Sequence, residues 1–456
     1  METFLIKAVQ LISALAFLVI IHEFGHFIFA RIFGIKVEKF YLFFNPWFSL
    51  FKFKPKAKTD SNPNKTSWRD TEYGIGWVPL GGYVKIAGMI DESMDKEQLT
   101  QPEQPWEFRA KPAYQRLLVM IGGVLFNFLL AILIYTGITY YWGDSYIRFQ
   151  DAKAGMEFCE TAHQYGFQDG DIPLFADGEK LEKYDGNAKT KILLAKNVIV
   201  LRGGKQEEIT LPGEQFLFDV SSEIEKNRTD FMTFRMPVVV KDTEHGMPAY
   251  KAGMQPGDSI ISVAGILTPS YPIFANVLSE NAGKTIPIVF IRDFKSDTLN
   301  ITLTESGKLG IALKSIAEVY PVIREKYSLL GSIPKGVKMG VDKLTNYISS
   351  LKLIFTKEGA KSVGGFGAIG SIFPETWNWL QFWEITAFLS VALAIMNILP
   401  IPALDGGHVL FLLWEIITGR KPKEKFLEYA QIAGMIFLLI LLIYANGNDI
   451  YRFLLK

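Results

Sequence analysis

His22-Glu23-Phe24-Gly25-His26 sets two imidazoles four residues apart around a carboxylate. On a helix, positions i and i+4 share a face, so His22 and His26 can hold one metal ion, with Glu23 one residue round and beside it. The stretch around them, Phe4 to Phe33, is otherwise apolar apart from Lys7 and Arg31. An ionisable cluster at bilayer depth is costly unless something binds or pairs with it. Only five histidines occur in the chain, and two of them stand at this spacing. The pattern therefore points to metal-assisted hydrolysis inside a membrane, with Glu23 as general base.

A catalytic zinc takes three protein ligands and leaves a fourth position for water, so a third ligand is needed. The intramembrane candidate is Asp405, in Asn397-Ile398-Leu399-Pro400-Ile401-Pro402-Ala403-Leu404-Asp405-Gly406-Gly407-His408. Pro400 and Pro402 interrupt the helix and free backbone carbonyls, which is tolerated at membrane depth only against protein or a water-lined cavity. Asn397 could hydrogen-bond a substrate backbone or an oxyanion, or it could bond one helix to another. Asn127 has the same ambiguity and receives no role. His408 reads as an interfacial histidine, with a supporting partner of the metal site as the alternative.

The elements that must position these groups are membrane spans. Leu117 to Gly143, Ile385 to Leu404 and Tyr429 to Asn448 contain no charged residue, and each is long enough to cross a bilayer. With Phe4 to Phe33 they make four. Met1-Glu2-Thr3 lacks a basic residue and the apolar run continues past the histidines, so the first span reads as uncleaved rather than as a signal peptide. Lysines and arginines crowd the first loop (Lys36, Lys39, Lys52, Lys54, Lys56, Arg69) and the last (Arg420, Lys421, Lys423, Lys425). Both loops then face the cytoplasm, and both termini and the central region lie outside it. In this topology the first and third spans run toward the cytoplasm, so His22, His26 and Asp405 share the cytoplasmic half of the bilayer.

The 456 residues carry a net charge of +1, and no basic cluster interleaved with aromatics suggests nucleic acid. The single cysteine, Cys159, excludes an intramolecular disulfide and reads as a small buried residue, a reactive thiol being the alternative.

The expected organisation is a first span over 1–35, a loop over 36–115, a second span over 116–143, two small domains over 144–235 and 236–319, a juxtamembrane segment over 320–378, a third span over 379–410 and a fourth over 426–448. In the loop, Thr59 to Ser67 is polar and reads as flexible. Tyr73 to Gly88 carries β-branched and aromatic residues around Gly81-Gly82-Tyr83 and predicts a membrane-associated β-hairpin. It could offer a strand edge to an extended substrate, or simply cover the membrane surface.

In the central region, Ala162, Gly166, Gln168, Gly170, Asp171 and Gly178 recur in the same order and spacing as Ala249, Gly253, Gln255, Gly257, Asp258 and Gly265. Two copies of one small domain are implied. The second resembles the helix-turn-strand core of a PDZ domain. The first is degenerate, with Pro173 where the second has Ile260. Such modules could bind an exported peptide by strand addition or act as steric shields. Tyr320 to Thr356 has apolar residues such as Val337, Val341, Leu344 and Ile348 at helical spacing and reads as an amphipathic helix along the outer membrane surface. Ser362 to Phe373 is Gly-rich and could dip into the bundle; it lacks the context of a phosphate loop.

Together the His22-to-His26 motif, the Asn-x-x-Pro-x-Pro-x-Leu-Asp-Gly run from Asn397 to Gly406, four spans and tandem PDZ-like modules resemble the bacterial site-2 protease family, RseP type. The resemblance covers nearly the whole chain. It implies an α-helical polytopic protein of the bacterial inner membrane, with two inserted PDZ-like α+β domains and a cytoplasmic-side β-hairpin. It further implies a zinc endopeptidase that uses Zn2+ on His22, His26 and Asp405, with Glu23 catalytic and Asn397, Gly81, Gly82 and Tyr83 against substrate. Its substrates would be single-span membrane proteins already trimmed by another protease, of the anti-sigma-factor kind, with the PDZ-like modules excluding untrimmed ones. Clearance of signal-peptide remnants is the alternative enzyme reading. A non-catalytic PDZ receptor or scaffold would not require Glu23, and a zinc transporter would need further acidic or histidine residues along the spans.

Overall fold

The computed structural model describes residues 2–56, 66–89, 102–227, 230–351 and 364–455. The chain divides into two compact units, Met1–Gly143 with Lys326–Lys456, and Asp144–Glu325.

The first unit is a helical bundle with a small sheet at one end. Its helices are α1 (Glu2–Ile32), α2 (Ala113–Tyr141), α3 (Leu329–Leu351), α4 (Phe366–Ser371), α5 (Trp379–Ile398), α6 (Asp405–Thr418) and α7 (Glu424–Leu455). Four of them, α1, α2, α5 and α7, are long and apolar enough to cross a membrane. Helix α2 is the hub. A side chain on Gly25 of α1 would collide with the Gly122 carbonyl of α2, so small residues let these two backbones touch, as in helix pairs packed within lipid. Leu18, Leu130, Ala131, Tyr135, Ala387 and Val391 close the core between α1, α2 and α5.

Helix α3 lies along α2 as well. Its buried residues are Ser332, Gly336 and Gly340, a ridge of small side chains at four-residue spacing, and a Cβ on Gly336 would strike Thr136. Val337, Val341 and Ile348 stay exposed, while Leu344 joins the core beside α2 and α5. The expected amphipathic helix thus runs beside two apolar helices, meeting α2 through Gly336 and Gly340 and the shared core through Leu344 and Tyr347. The Gly-rich stretch folds into α4, whose first amides are received by α7: Asp449 accepts from Gly365 N at 2.9 Å and Ala368 N at 3.0 Å, and Asn446 from Phe366 N at 3.2 Å. Residues 59–65, 352–356 and 362–363 of the expected segments lie outside the described residues.

The sheet corrects one expectation. Strands β1 (Val37–Phe44), β2 (Phe51–Phe53), β3 (Glu72–Ile75) and β4 (Val78–Ile86) are ordered β2-β3-β1-β4. Tyr73 to Gly88 is therefore no hairpin: β3 runs parallel to β1 on one side and β4 antiparallel to it on the other. The link Gly76-Trp77 crosses the end of β1 instead, bonded to Leu42 O at 2.8 Å and Phe44 O at 3.1 Å. Gly81-Gly82 is not a turn but the middle of β4, and a Cβ on Gly82 would lie 2.7 Å from Tyr41 O and 2.8 Å from Val19 of α1. The glycines serve close approach between strand and helix. Ala30, Ile35, Val37, Ile86, Val119, Met120, Val409 and Leu412 form the core that joins this sheet to α1, α2 and α6.

The second unit has two cores. Phe149, Phe167, Phe216 and Phe231 centre the first, and Val238, Ile260, Ile288 and Phe290 the second. The first half carries a four-stranded sheet, with Ile172–Ala176 between Asn197–Arg202 and Glu179–Lys180; the second half carries a larger one around Ser259–Val263. Both halves build the same clamp. Arg202 grips the buried Asp171 at 2.8 and 2.7 Å and reaches Gly166 O at 2.8 Å. Arg292 grips Asp258 at 2.7 and 2.6 Å and reaches Gly253 O at 3.1 Å. Each aspartate also receives a backbone N–H, from Gln168 at 2.9 Å and Gln255 at 2.8 Å. Pro173 sits where the register of its strand shifts, so its missing N–H falls at an irregularity that does without it. The unit closes with Ile323–Glu325 paired to Asp144–Tyr146, and Tyr320 packs in the first core. Residues 320–325 thus belong here rather than to the segment that follows.

Candidate metal centre

Each ligand candidate owes its place to a local feature. His22 and His26 occupy adjacent turns of α1, on the face turned to α2, and both are buried. Asp405 is the first residue of α6. Helix α5 ends at Ile398, the chain passes through Pro400 and Pro402 with Ala403 in a left-handed conformation at φ 77°, and a new helix starts at Asp405. Gly406 allows this reversal, because a side chain there would collide with Leu399 O. Arg116 of α2 and Glu415 of α6 form a buried ion pair at 2.5 Å that ties the new helix to the hub.

Three ligand atoms converge. His22 Nε2 lies 3.1 Å from Asp405 Oδ2, His26 Nε2 lies 3.3 Å from the same oxygen, and the two nitrogens are 3.2 Å apart. Ligands about 2.0–2.1 Å from a tetrahedral zinc stand roughly 3.3 Å from one another. The triangle fits. Asp405 Oδ2 is buried without a hydrogen-bond donor, and a buried carboxylate oxygen facing two imidazole nitrogens is costly without a cation among them. The donor set, two nitrogens and one oxygen, is one that zinc takes in catalytic sites.

Helix α2 supplies the surroundings from one stripe of residues at four-residue spacing. Val119 O accepts from His26 Nδ1 at 2.9 Å, and the Asn127 amide meets His22 Nδ1 at 3.2 Å. Between them Gly123 leaves room: a Cβ there would come within 2.5 Å of His26 Nε2 and 2.6 Å of His22 Cε1. None of these three has a role that the sequence alone assigns. Their only signal was the spacing of Val119, Gly123 and Asn127 on a span.

The centre opens into a cavity of about 730 Å³, lined by His22, Glu23, His26, Asp405, Asn397 and the Gly81-Gly82-Tyr83 segment. All the expected site residues therefore meet in one place, and His408 lines it too. Glu23 and Val84 of β4 line the same cavity. Among the described residues β4 pairs only with β1, and its stretch from Gly81 to Ile86 lines the cavity. Asn397 Nδ2 stands 3.3 Å from His22 Nε2, at the metal position rather than on a neighbouring backbone. Tyr83 stacks on Tyr41 at 5.3 Å between ring centres and donates its hydroxyl to Asn45 at 3.0 Å.

Comparison with known proteins agrees with this geometry. The model of Peptidase family M50 matches residues 10–441. A regulator of sigma E protease from Haemophilus influenzae is 28% identical over 479 residues, covering 99% of this chain and 100% of the relative. The regulator of sigma-E protease RseP of Escherichia coli is 27% identical over 489 residues, covering 99% and 100%. Protease RseP of Yersinia pestis is 27% identical over 474 residues, covering 97% of each.

Proposed function

The chain belongs to peptidase family M50, a zinc metalloprotease of the site-2 type, and from that premise we propose that it cleaves the transmembrane segments of single-span membrane proteins already trimmed on the outer side. The observation that carries the site assignment is the convergence of His22 Nε2, His26 Nε2 and Asp405 Oδ2 at 3.1–3.3 Å beside Glu23. When bound, zinc supplies a Lewis acid and makes water a nucleophile near neutral pH. Glu23 takes the proton of the attacking water on its carboxylate and returns it to the leaving amine. A substrate helix hides its carbonyls in its own hydrogen bonds, so it has to unwind, and the open edge of β4 at Gly81, Gly82 and Tyr83 receives the unwound segment as an added strand. Asn397 donates from Nδ2 to the oxygen that gains charge.

The two halves of Asp144–Glu325 act as PDZ-like modules. Their shared Asp–Arg clamp supports a common ancestry of structure, and screening of substrate ectodomains is the role this reading gives them. Both termini and this unit lie outside the cytoplasm of a bacterial inner-membrane protein, in keeping with the lysines and arginines of the first and last loops.

Co-expression with a single-span protein, offered whole and as a version lacking its exported domain, tests the substrate class. Cleavage within the span of the shortened form, and little of the whole one, is expected. Equal cleavage of both would remove the screening role, and cleavage of neither the proposed substrate class.

A further inference from the structure

We propose that Asn127 is the positioning residue of the metal centre: its side-chain oxygen accepts the Nδ1 proton of His22 and so fixes the tautomer in which Nε2 is free to bind the ion. The inference rests on the reading of His22, His26 and Asp405 as zinc ligands. Nε2 is the His22 atom turned to His26 and Asp405, at 3.2 and 3.1 Å. A neutral imidazole that binds metal through Nε2 carries its proton on Nδ1, and at bilayer depth that proton needs an acceptor. The polar group at His22 Nδ1 is the Asn127 amide, 3.2 Å away on a fully buried residue.

The two ends of that amide have opposite consequences. With Nδ2 toward His22 the amide would donate to a bare Nδ1 and leave the imidazole proton on Nε2, where Asn397 Nδ2, 3.3 Å away, presents a second donor. This is the tautomer that cannot bind metal. Meanwhile Asn127 Oδ1 is buried with no donor. Half a turn about the Cβ–Cγ bond exchanges the two atoms, brings the orphan oxygen onto Nδ1 and moves the favoured proton there. His26 needs no such adjustment, because Val119 O can only accept. One histidine is thus set by a backbone carbonyl, and the other by the amide oxygen of Asn127. The backbone beneath that amide is held: Ser390 of α5 donates to Asn127 O at 2.7 Å.

Asn127→Asp and Asn127→Ala, in the full chain in detergent, separate this role from packing. The zinc dissociation constant is read by competition with a chromophoric chelator, and the ligand field by visible absorption of the cobalt-substituted protein. A carboxylate can only accept, so Asn127→Asp is expected to hold zinc at least as tightly as the wild type with an unchanged cobalt spectrum. Asn127→Ala is expected to weaken zinc about 10–100-fold, as loss of a partner behind a ligand histidine does. Weak binding by Asn127→Asp would mean that the amide serves as donor or filler and would overturn the proposal. So would wild-type affinity in Asn127→Ala. Asn127→Asp decides alone if the alanine variant does not fold. Absence of zinc from the wild type, or its retention in His26→Ala, would count instead against the ligand assignment.

Discussion

His22 Nε2, His26 Nε2 and Asp405 Oδ2 converge within 3.3 Å of one another, on two buried histidines and a buried carboxylate oxygen. Removing one of three ligands from such a site leaves two imidazoles that bind zinc far more weakly. Asp405→Ala is therefore expected to copurify with little zinc by elemental analysis; full occupancy would contradict the third ligand. A second residue tests the other unit. Burial pushes the Cys159 thiol up to about 11, so at pH 7.5 almost none of it is thiolate and labelling by iodoacetamide in the folded state should be slow, rising as pH approaches that value. Rapid stoichiometric labelling at pH 7.5 would contradict its burial. The ligands were legible because histidines at four-residue spacing and an aspartate after a proline-broken helix are expensive in an apolar span and have few other uses. Asn127 was not, since an asparagine in a span reads the same whether it faces a ligand histidine or a neighbouring backbone.

At the scale of elements, α2 holds the site together by what it lacks as much as by what it offers. Gly122 and Gly123 let α1 lie directly on it, and Arg116 at its start fastens α6 through Glu415 at 2.5 Å. Glu415→Ala would leave the buried Arg116 guanidinium without its counter-charge, which costs about 3–5 kcal/mol when a buried pair is broken. A lowered melting temperature in detergent and weaker zinc binding, through the displaced Asp405, are the expected outcomes; an unchanged melting curve would count against the clamp. The spans were legible from their length and lack of charge. The sheet was not, because Gly81-Gly82 carries the signal of a turn while its use is to admit Tyr41 and Val19, and the partner that separates β3 from β4 is β1, some thirty residues earlier. Likewise, the apolar spacing of Val337 and Val341 left unread the packed ridge of α3, Ser332, Gly336 and Gly340, which carries no hydrophobic signal.

The chain forms two units, a helical bundle and a separately cored unit, Asp144–Glu325, which lies between α2 and α3 in sequence. The charge asymmetry of the loops predicts its side. Alkaline phosphatase inserted at the exposed Asp293-Phe294 turn should be active, and inactive when fused after Arg420; the reverse pattern would contradict the topology. The repeat in this unit was legible from its glycines and aspartates. The arginine that grips each aspartate was not, because it lies 31 and 34 residues away in sequence, beyond two strands and a helix. Cleavage by this chain depends on Glu23 acting as base beside a zinc held by other residues. Its most direct test is Glu23→Gln, compared with the wild type for bound zinc and for cleavage of one purified trimmed substrate. Zinc at wild-type stoichiometry with cleavage reduced about 10²–10⁴-fold is the predicted result; equal cleavage by the two proteins would contradict it.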